Sequence, residues 1–387
     1  MRIAYFIGNR GEGRGGHFYD LNIISKHLSK RNFVKVFLFG KNPSPVIDDL
    51  KNHGIEVENV FFNGVNYLSV RNRIIKSIKK GNFDNLHCFD TETFFIIKGA
   101  FPFSKRKILL SKCGGPNPTN NNYPKAANLH VMSYENLNWF KENKQYRAKL
   151  FLIPNRAEKV VSNDMEIKNL RERFAPKTTF LRISRITSHY KKSLEQTIEL
   201  ANLLTDEDYN VQFIIIGVVQ EKQLYLHLKS LVKNQSTVFI TDNKHTIHSS
   251  RLIDSFDFII GTGRGIMEAC SLGKVILTPI SESKFPAIVD DFNFKQLFNT
   301  NFSPRNSLPN FSEEENLTKI IRAIHDKDYF KKLEAFSRKK FFKNFFIEDA
   351  LEDYQKMNET LVSNNSLHFW NLFRGLSATI LAYKRIQ

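Results

Sequence analysis

The sequence predicts an α/β protein made of two similar domains that face each other across a cleft, followed by helices at the C-terminal end. Three observations predict this class. Short apolar segments alternate with segments whose apolar residues have helical spacing, a polar stretch interrupts the alternation after residue 155, and a glycine-rich loop follows an apolar segment in each half. The length of 387 residues also fits two domains, at roughly 100–200 residues each.

The first domain is predicted over residues 1–155. It opens with a short apolar strand, a glycine loop, a helix with apolar residues at Leu21, Ile24 and Leu28, and a second buried strand that Gly40 ends. This order is typical of a parallel sheet with right-handed crossover connections. The strands predicted in this domain cover residues 2–7, 34–39, 57–62, 85–89, 107–110, 129–133 and 150–153.

The second domain is predicted over residues 156–330, after Pro154 stops the preceding strand. The same alternation restarts there beyond the polar stretch. Its predicted strands cover residues 179–183, 211–216, 238–240, 256–260 and 274–278, and its predicted helices cover residues 194–204, 223–232 and 265–272. Residues 331–387 are predicted to form C-terminal helices.

The composition excludes several classes of protein. Hydrophobic residues make up 41% and charged residues 25% of the chain, which excludes a wholly disordered or fibrous protein. Three cysteines without a C-x-x-C pair exclude a disulfide scaffold and a cysteine zinc site, and they indicate a reducing, cytoplasmic compartment. The first apolar run is too short for a signal peptide, and no run reaches about 18 apolar residues, so no membrane-spanning helix is expected.

The chain is strongly basic, and its positive charge is concentrated in the first domain. The 57 Lys and Arg against 39 Asp and Glu give a net charge of +18, of which residues 1–150 carry +13 from 24 basic and 11 acidic residues. A basic half attracts an anionic partner, which could be nucleic acid, an acidic lipid surface or a phosphorylated substrate; a lysine-rich surface without a partner is the alternative. Nucleic acid is disfavoured, because the chain has neither an aromatic-plus-basic RNA signature nor a recognition-helix motif.

The first glycine loop follows the first strand and precedes the first helix. Gly11, Gly13 and Gly16 have the spacing G-x-G-x-x-G in the context that a dinucleotide-binding loop requires. The acidic residue that should end the second strand and hold the ribose is absent, because that strand ends in Phe39-Gly40-Lys41. The loop can bring backbone amides to a ligand at a helix N-terminus, or it is a tight turn, but no NAD cofactor is expected.

The second glycine loop belongs to a stretch that is predicted to be strand, glycine turn, short helix, glycine stop and strand, from residue 258 to residue 276. The backbone amides of Gly263, Arg264, Gly265 and Ile266 should lie at the start of that helix, where a diphosphate binds well. Glu268 is expected in the first turn of the helix. Its carboxylate there either caps the helix or accepts two ribose hydroxyls.

A basic loop follows the first predicted strand of the second domain. This places it at the carboxyl edge of the sheet, where open α/β sheets bind ligands. Arg185 offers a bidentate guanidinium to a phosphate, and Lys191 or Lys192 offers a point charge. A solvated basic turn is the alternative interpretation.

These motifs together resemble glycosyltransferase family 4, whose members are retaining enzymes of the GT-B fold. The resemblance rests on S-R-x(5,6)-K from Ser184, G-T-G-R-G-I-M-E-A-C-S-L-G-K-V-I from Gly261, G-G-H-F-Y-D-L from Gly15, K-C-G-G-P-N-P from Lys112 and I-P-N-R from Ile153. It covers most of residues 1–360, and the E-A-x-x-x-G-x-V-I stretch from Glu268 is its most specific part. It implies two Rossmann-like domains that face each other across a cleft, with C-terminal helices that cross back and pack on the first domain.

The resemblance also implies roles for the motif residues. Arg185, with Lys191 or Lys192, would neutralise the diphosphate of the donor, and Glu268 would bind its ribose. The residues implied to lie near the diphosphate and the acceptor are Gly13, Arg14, Gly15, Gly16 and His17 of the first loop, together with Gly114 and Gly115.

The chain departs from the family in two places. The family often has Glu-x7-Glu, but Ile260 stands where the first glutamate is expected. The family also often has a histidine after the fourth strand of the first domain, and the nearest match here is Lys112-Cys113-Gly114-Gly115, which has none. Both departures concern contacts to the sugar and leave the diphosphate site in place.

The sequence therefore predicts a retaining glycosyltransferase that moves a sugar from a nucleotide-sugar donor to a glycan or lipid-linked acceptor in bacterial surface polysaccharide synthesis. A sugar-nucleotide epimerase or a phosphorylase on the same fold is the alternative. No metal is predicted, because this fold needs none and Asp206-Glu207-Asp208 is interpreted as an exposed turn.

The C-terminal tail is apolar with basic ends, and it suggests a peripheral position at the inner face of an anionic membrane. Trp370, Phe373, Lys384 and Arg385 are expected beside the basic face of the first domain. Simple packing of the tail on that domain is the alternative.

Overall fold

The computed structural model describes residues 1–119, 123–162, 164–247, 249–363 and 368–385. The chain forms two compact units. The first unit is Met1–Arg156 together with Ile347–Gln387, and the second is Ala157–Phe346. The C-terminal segment therefore returns to the first unit, as the sequence predicts.

The first unit contains a parallel sheet. Its seven strands, among the described residues, are β1 (Arg2–Asn9), β2 (Phe33–Gly40), β3 (Glu56–Phe61), β4 (Asn85–Cys88), β5 (Lys107–Lys112), β6 (Asn128–Val131) and β7 (Lys149–Leu152). Their order is β3-β2-β1-β4-β5-β6-β7, and all neighbours are parallel. The helices between them are α1 (Gly16–Leu28), α2 (Pro45–Asp48), α3 (Tyr67–Gly81), α4 (Thr91–Ala100) and α5 (Tyr134–Glu142). The predicted strands of this unit are confirmed.

The second unit repeats this plan. Its strands are β8 (Thr178–Ile183), β9 (Val211–Ile216), β10 (Thr237–Ile240), β11 (Phe258–Ile260), β12 (Val275–Thr278) and β13 (Ala287–Ile288), in the order β10-β9-β8-β11-β12-β13. Its helices are α6 (Asp164–Phe174), α7 (Lys191–Asp206), α8 (Lys222–Ser230), α9 (Asn243–Thr246), α10 (Arg264–Ser271), α11 (Phe294–Asn299), α12 (Glu313–His325) and α13 (Lys327–Lys340). The strands pair in parallel except for β13, which is antiparallel to β12. The strands β8–β12 confirm the prediction, whereas α6, α9, α11 and β13 were not predicted.

The segment that returns to the first unit carries α14 (Leu351–Glu359) and α15 (Phe369–Lys384). It begins at Ile347, not at residue 331 as predicted. Helix α13 stays with the second unit because Leu333 is buried in a core of that unit, and Phe341 and Phe345 after it are buried in another. Within the described ranges, no helix combines the length and the apolar character needed to cross a membrane.

Phenylalanine rings hold the central strands of the second unit in register. Phe180 of β8 stacks between Phe213 of β9 and Phe258 of β11, with ring centroids 4.3 Å apart in both pairs. All three rings are buried. A slip of one residue between these strands would turn the rings to the opposite face of the sheet, so this stack specifies the pairing.

A buried ladder of hydrogen bonds crosses the sheet of the first unit. His87 Nε2 of β4 lies 2.7 Å from Ser111 Oγ of β5, which lies 2.8 Å from His130 Nδ1 of β6. His130 Nε2 in turn lies 3.0 Å from the carbonyl oxygen of Ile153. Burial lowers the pKa of His130 to about 4, and burial together with His130 holds the pKa of His87 well below its ordinary value. Both imidazoles are therefore neutral in the folded protein at pH 7.

Acid should destabilise the first unit through this ladder. The histidines of an unfolded chain titrate near pH 6.5, so the stability that depends on neutral imidazoles is present above that pH and is lost as the pH falls toward 4. For His130 alone, the free energy of unfolding should fall by about 2 kcal/mol between about pH 7.5 and pH 5. Urea unfolding followed by tryptophan fluorescence measures this, because Trp139 and Trp370, the two tryptophans, belong to the first unit.

The matched variants are His130→Leu and His53→Leu. His130→Leu should lose the part of the acid sensitivity that comes from His130, while His53→Leu, which removes an exposed histidine of the same unit, should keep it. If the two variants respond to acid alike, the ladder is not the cause.

Candidate functional site

The strand order of the second sheet creates one point at which the chain changes direction. Strand β8 lies between β9 and β11, so the chain passes from β8 to one side and later returns to β11 on the other. Loops that leave β8 and β11 at their carboxyl ends run in opposite directions and leave a crevice, which is where open α/β sheets bind ligands. Arg185 follows β8 and Gly263 follows β11, so the sheet brings the two predicted donor motifs to one crevice.

The loop after β8 and the start of α7 carry three exposed cations. Arg185 is exposed, and Lys191 and Lys192 are exposed at the start of α7. Lys192 Nζ donates to the carbonyl oxygen of Ser281. Cations at a helix N-terminus oppose the helix dipole, so this arrangement is unfavourable for the helix alone and favours an anionic ligand.

Glu221 fixes the conformation of this loop and was not predicted from the sequence. Its carboxylate accepts hydrogen bonds from the Ser188 hydroxyl, from Ser188 N at 2.8 Å and from Thr187 Oγ1 at 2.6 Å. The pKa of Glu221 is lowered to about 2, mainly by the hydrogen bond from the Ser188 hydroxyl and next by that from Thr187. The carboxylate is therefore ionised at neutral pH and holds the residues that follow Arg185. No motif marks it, because it belongs to the loop after β9.

Arg182, near the end of β8, is a buried cation that was also not predicted as a site residue. Its Nη1 donates to the carbonyl oxygen of Ile260 at 3.2 Å, and its Nη2 donates to Ser193 Oγ at 3.1 Å, which joins the end of β11 to the start of α7. Its exposed fraction is 1%, and it has no ion pair with an acidic residue in the described ranges. Burial lowers its pKa to about 10, so it remains charged at pH 7. An arginine inside an apolar strand was the signal for it.

The loop after β11 has the glycine geometry that the sequence predicts, but it offers fewer free amides. Gly263 has φ +47, which residues with side chains rarely adopt, and it directly precedes α10. Gly265 N donates to Thr262 O at 3.0 Å, and Ile266 N donates to Gly263 O at 3.2 Å. Two of the four predicted donor amides are thus used within the turn. The Gly263 amide forms no hydrogen bond with a described residue.

Glu268 lies further along α10 than expected. It is the fifth residue of the helix, so it is not in the first turn and does not cap the helix. Its Oε1 accepts a hydrogen bond from Arg264 Nε at 2.8 Å, and both side chains are largely buried. The arginine one turn earlier therefore orients this carboxylate.

In the first unit the change of direction falls between β1 and β4, and the first glycine loop follows β1. Gly13 has φ +66, and its carbonyl oxygen accepts a hydrogen bond from Ser44 Oγ at 2.6 Å, which fixes the turn. The remaining loop residues lie at the start of α1: exposed Arg14, Gly15 at the cap, exposed Gly16, and half-buried His17. The predicted loop therefore borders a crevice of its own unit.

Two carboxylates after β4 border the same crevice and were not predicted. Asp90 accepts hydrogen bonds from Gly8 N at 2.8 Å and Thr93 N at 2.7 Å, so it caps α4. Glu92 forms an ion pair with Arg10 at 2.9 Å. Burial, followed by the charge of Asp90, raises the pKa of Glu92 to about 7 against the opposing effect of Arg10. Glu92 therefore titrates near neutral pH.

Gly114 and Gly115 follow β5, one strand away from this crevice. Both have positive φ, +89 and +78, and Lys112 Nζ donates to the Gly114 carbonyl oxygen at 2.9 Å. The sequence interpretation matched this stretch to the segment after the fourth strand, and that match is wrong. The fourth strand is β4, which is followed by Phe89 and Asp90.

The sequence Asp206-Glu207-Asp208 lies away from the crevice of the second unit. These residues are exposed at the end of α7 and in the turn that follows it, at the edge of the sheet where β9 begins. Asp206 forms an ion pair with Lys233 at 3.7 Å and accepts a hydrogen bond from Asn234. Over the described part of the chain, no three His, Cys, Asp or Glu side chains are grouped in a way that suits a metal ion.

Removing the Glu221 carboxylate should loosen the loop after β8. In Glu221→Ala the Ser188 amide loses its acceptor, so deuterium exchange in peptides that span residues 184–190 should become severalfold faster. Hydrogen exchange followed by mass spectrometry measures it. Glu207→Ala removes an exposed carboxylate of the same unit and should leave these peptides unchanged. Unaltered exchange in Glu221→Ala would show that the carboxylate does not hold the loop.

Known structures resemble the chain in fold. No protein-family model and no curated protein matches it. HepE from Anabaena, solved in complex with UDP and glucose, is similar with a TM-score of 0.68 at 14% identity, covering 93% of this chain and 100% of that one. A glycosyltransferase from Rickettsia africae is similar with a TM-score of 0.67 at 17% identity, covering 92% of this chain and 97% of that one. A Listeria monocytogenes protein assigned as a UDP-N-acetylglucosamine 2-epimerase has a TM-score of 0.57 at 12% identity, covering 95% of this chain and 99% of that one.

At these identities the likeness shows the fold alone. Each unit has a sheet of parallel or mostly parallel strands with alternating helices, and the match extends over nearly the whole chain. The chain therefore has the α/β GT-B fold.

Proposed function

We propose that the protein is a glycosyltransferase that moves a sugar from a nucleotide-sugar donor to a glycan or lipid-linked acceptor. The crevice between β8 and β11 carries this proposal: an exposed arginine, two lysines at a helix start and a glycine-capped helix meet at one sheet edge. Such groups bind a diphosphate. The similar fold of HepE, which was solved with UDP and glucose, supports a UDP-sugar as the donor.

The donor diphosphate would lie against Arg185, Lys191 or Lys192 and the amide of Gly263. Arg182 adds a buried positive charge at the same edge, and a charge in a low-dielectric interior acts over a longer distance than an exposed one. Glu268 would accept a ribose hydroxyl through Oε2, because its Oε1 is held by Arg264.

Transfer breaks the bond between the anomeric carbon and the diphosphate oxygen and forms a bond from that carbon to the acceptor oxygen. The diphosphate leaves as an anion, and the cations and the amide stabilise its growing charge without having to reorganise. The proton of the acceptor hydroxyl passes to the departing phosphate oxygen, so no separate protein base is needed. The new bond forms on the face that the diphosphate leaves, which retains the configuration.

The first unit would bind the acceptor. Its crevice between β1 and β4 presents an exposed loop backbone, Arg10 and the carboxylates of Asp90 and Glu92, and these groups can hydrogen-bond to sugar hydroxyls. The proposed setting is bacterial surface polysaccharide synthesis, on the cytoplasmic side, with the basic first unit at the inner membrane face.

Arg185→Ala should lower the rate of transfer by about 10²–10³, because the leaving diphosphate loses a charged hydrogen-bond donor. It should also weaken the binding of nucleoside diphosphates. Arg251→Ala removes another exposed arginine of the second unit and is the control. Steady-state kinetics and calorimetry with UDP measure both effects. If Arg185→Ala keeps the rate and the UDP affinity of the wild type, the crevice is not the donor site.

Epimerisation is the second candidate, favoured by the likeness to the Listeria protein. A transferase glycosylates its acceptor and leaves the configuration of the donor sugar unchanged, whereas an epimerase converts the nucleotide-sugar into its isomer without an acceptor. NMR of the donor, incubated with and without acceptor, separates the two reactions. Isomer formation without acceptor would replace the transferase proposal.

Transfer should proceed at the full rate in excess EDTA, because arginine, lysine and a backbone amide are proposed to neutralise the diphosphate. Added manganese should not raise the rate. If chelation stops turnover and manganese restores it, this account of the donor site fails. Asp206→Asn combined with Asp208→Asn would then test the exposed acidic turn as the metal site.

A further inference from the structure

The last turn of α4 and the start of α15 place three basic groups together on the first unit. Lys98 lies in the last turn of α4, and His368 directly precedes α15. Helix α4 packs against α15, and burial, followed by the charges of Lys125 and Lys98, lowers the pKa of His368. The side chain of Asn371 accepts a hydrogen bond from Lys125 N at 3.1 Å, which ties Lys125 to α15. Lys98, Lys125 and His368 are called the basic cluster below.

Lys98 is the unusual member of the basic cluster. Its exposed fraction is 5%, and its ammonium group has no hydrogen bond or ion pair with any described residue. Burial lowers its pKa. A buried cation without a counter-ion is costly for the folded protein, so this position favours an anion from outside the chain.

The start of α15 adds a second attraction for an anion. The helix is 16 residues long, and the side chain of its capping residue, His368, makes no hydrogen bond to the first turn. The backbone amides and the dipole at this end of the helix favour negative charge. The positive field of Lys98 and that of the helix therefore meet where His368 is exposed.

The residues next to this point are aromatic and exposed. Phe369, Trp370 and Phe373 have exposed fractions of 60%, 73% and 57%, and they are called the aromatic ridge below. Phe103, just beyond the end of α4, is 85% exposed. Large apolar side chains that lie together on a surface mark an interaction site, and aromatic residues beside cations are typical of helices that lie in a membrane interface.

The helices around the ridge are basic and nearly free of acidic residues. Residues 368–385 contain Arg374, Lys384 and Arg385 and no Asp or Glu. Helix α3 and residues 98–107 together contain nine Lys and Arg and no Asp or Glu. Helix α4 packs against both α3 and α15, so these segments form one surface. This surface is complementary in charge to an anionic leaflet, where each Lys or Arg strengthens binding about fivefold.

We propose that the first unit docks on an anionic phospholipid membrane through this surface. The lipid phosphate binds at the basic cluster and the start of α15, and the aromatic ridge enters the headgroup region. The inference rests on the proposed function, because a lipid-linked acceptor would be met at the same membrane. A phospholipid is favoured over nucleic acid because it offers phosphate for the cations and an apolar region for the exposed rings at the same time.

Vesicle co-sedimentation of the full chain, without donor or acceptor, tests the docking. Vesicles of phosphatidylglycerol mixed with phosphatidylcholine should bind, and vesicles of phosphatidylcholine alone should bind at least about tenfold more weakly. Trp370→Ser combined with Phe373→Ser should abolish binding, while Phe292→Ser, which removes a ring that is 93% exposed in the second unit, should not. Binding that ignores lipid charge, or that survives loss of the ridge, overturns the proposal.

The phosphate site has its own variants. Lys98→Met keeps most of the side-chain volume but removes the charge, and it should weaken binding to phosphatidylglycerol vesicles about fivefold. Lys98→Arg keeps the charge and should bind as the wild type does. In a Trp139→Phe background, Trp370 is the remaining tryptophan, and its emission should shift to the blue when vesicles bind. Unchanged binding in Lys98→Met, or an unshifted emission, overturns the site.

Failure of this inference differs from failure of the proposed function. Sugar transfer to a soluble acceptor without vesicle binding overturns the docking and leaves the transferase in place. Vesicle binding by a protein that transfers no sugar overturns the transferase and leaves the docking in place. Preference for an oligonucleotide over phosphatidylglycerol vesicles would assign the surface to nucleic acid and overturn the docking.

Discussion

A close approach of two backbone segments fixes the start of a site loop in each unit. A side chain on Gly217, directly after β9, would place its Cβ 1.8 Å from the carbonyl oxygen of Ser184. A side chain on Gly40, at the end of β2, would place its Cβ 2.1 Å from the carbonyl oxygen of Asn9. Ser184 and Asn9 lie where the first strand of each sheet leads into its loop. Only glycine permits these contacts, so the positions of Arg185 and of the first glycine loop depend on them.

The two crevices that result differ in charge, although the sheets share one plan. The crevice of the second unit has an excess of cations: Arg185 is exposed there, Arg182 is buried at the same edge without an acidic partner among the described residues, and the carboxylate of Glu268 is paired with Arg264. The crevice of the first unit carries both signs, with Arg10 paired to Glu92 and with Asp90 at the start of α4. A leaving diphosphate needs the excess of cations found in the second unit. A neutral, hydroxyl-rich molecule is better matched by the mixed charges of the first unit.

The sequence predicted most strands because both faces of each sheet are covered by helices, which makes every inner strand a short apolar run. Helix α6 was not predicted because most of its residues are charged or polar. Its buried apolar residues Ile167, Leu170 and Phe174 do have helical spacing. Glu268 was predicted in the first turn because the predicted helix began at Gly265, one residue after the observed start at Arg264. This prediction missed the contact of Glu268 with Arg264, which lies one turn before it. Local spacing thus predicted elements well and side-chain partners poorly.

The site residues that were missed act across long stretches of chain. Glu221 holds Ser188 from the loop of the next strand, and Glu92 pairs with Arg10 across the switch point of the first sheet. No local pattern encodes such pairs, because they follow from which strands are neighbours. The glycine loops were predictable for the opposite reason: a turn that needs positive φ restricts the residue type at that very position.

The basic character of the first unit belongs to its surface more than to its crevice. At the crevice the charge of Arg10 is matched by Glu92, whereas α3, residues 98–107 and α15 contain Lys and Arg but no Asp or Glu, and in α3 Arg73 pairs with Glu58 of β3. A surplus spread over a helical face acts on an extended anionic surface and fades within a Debye length, about 8 Å at physiological salt. A cluster such as that after β8 acts on one bound group. The net charge alone therefore does not distinguish a surplus that is spread over a surface from a cluster at one site.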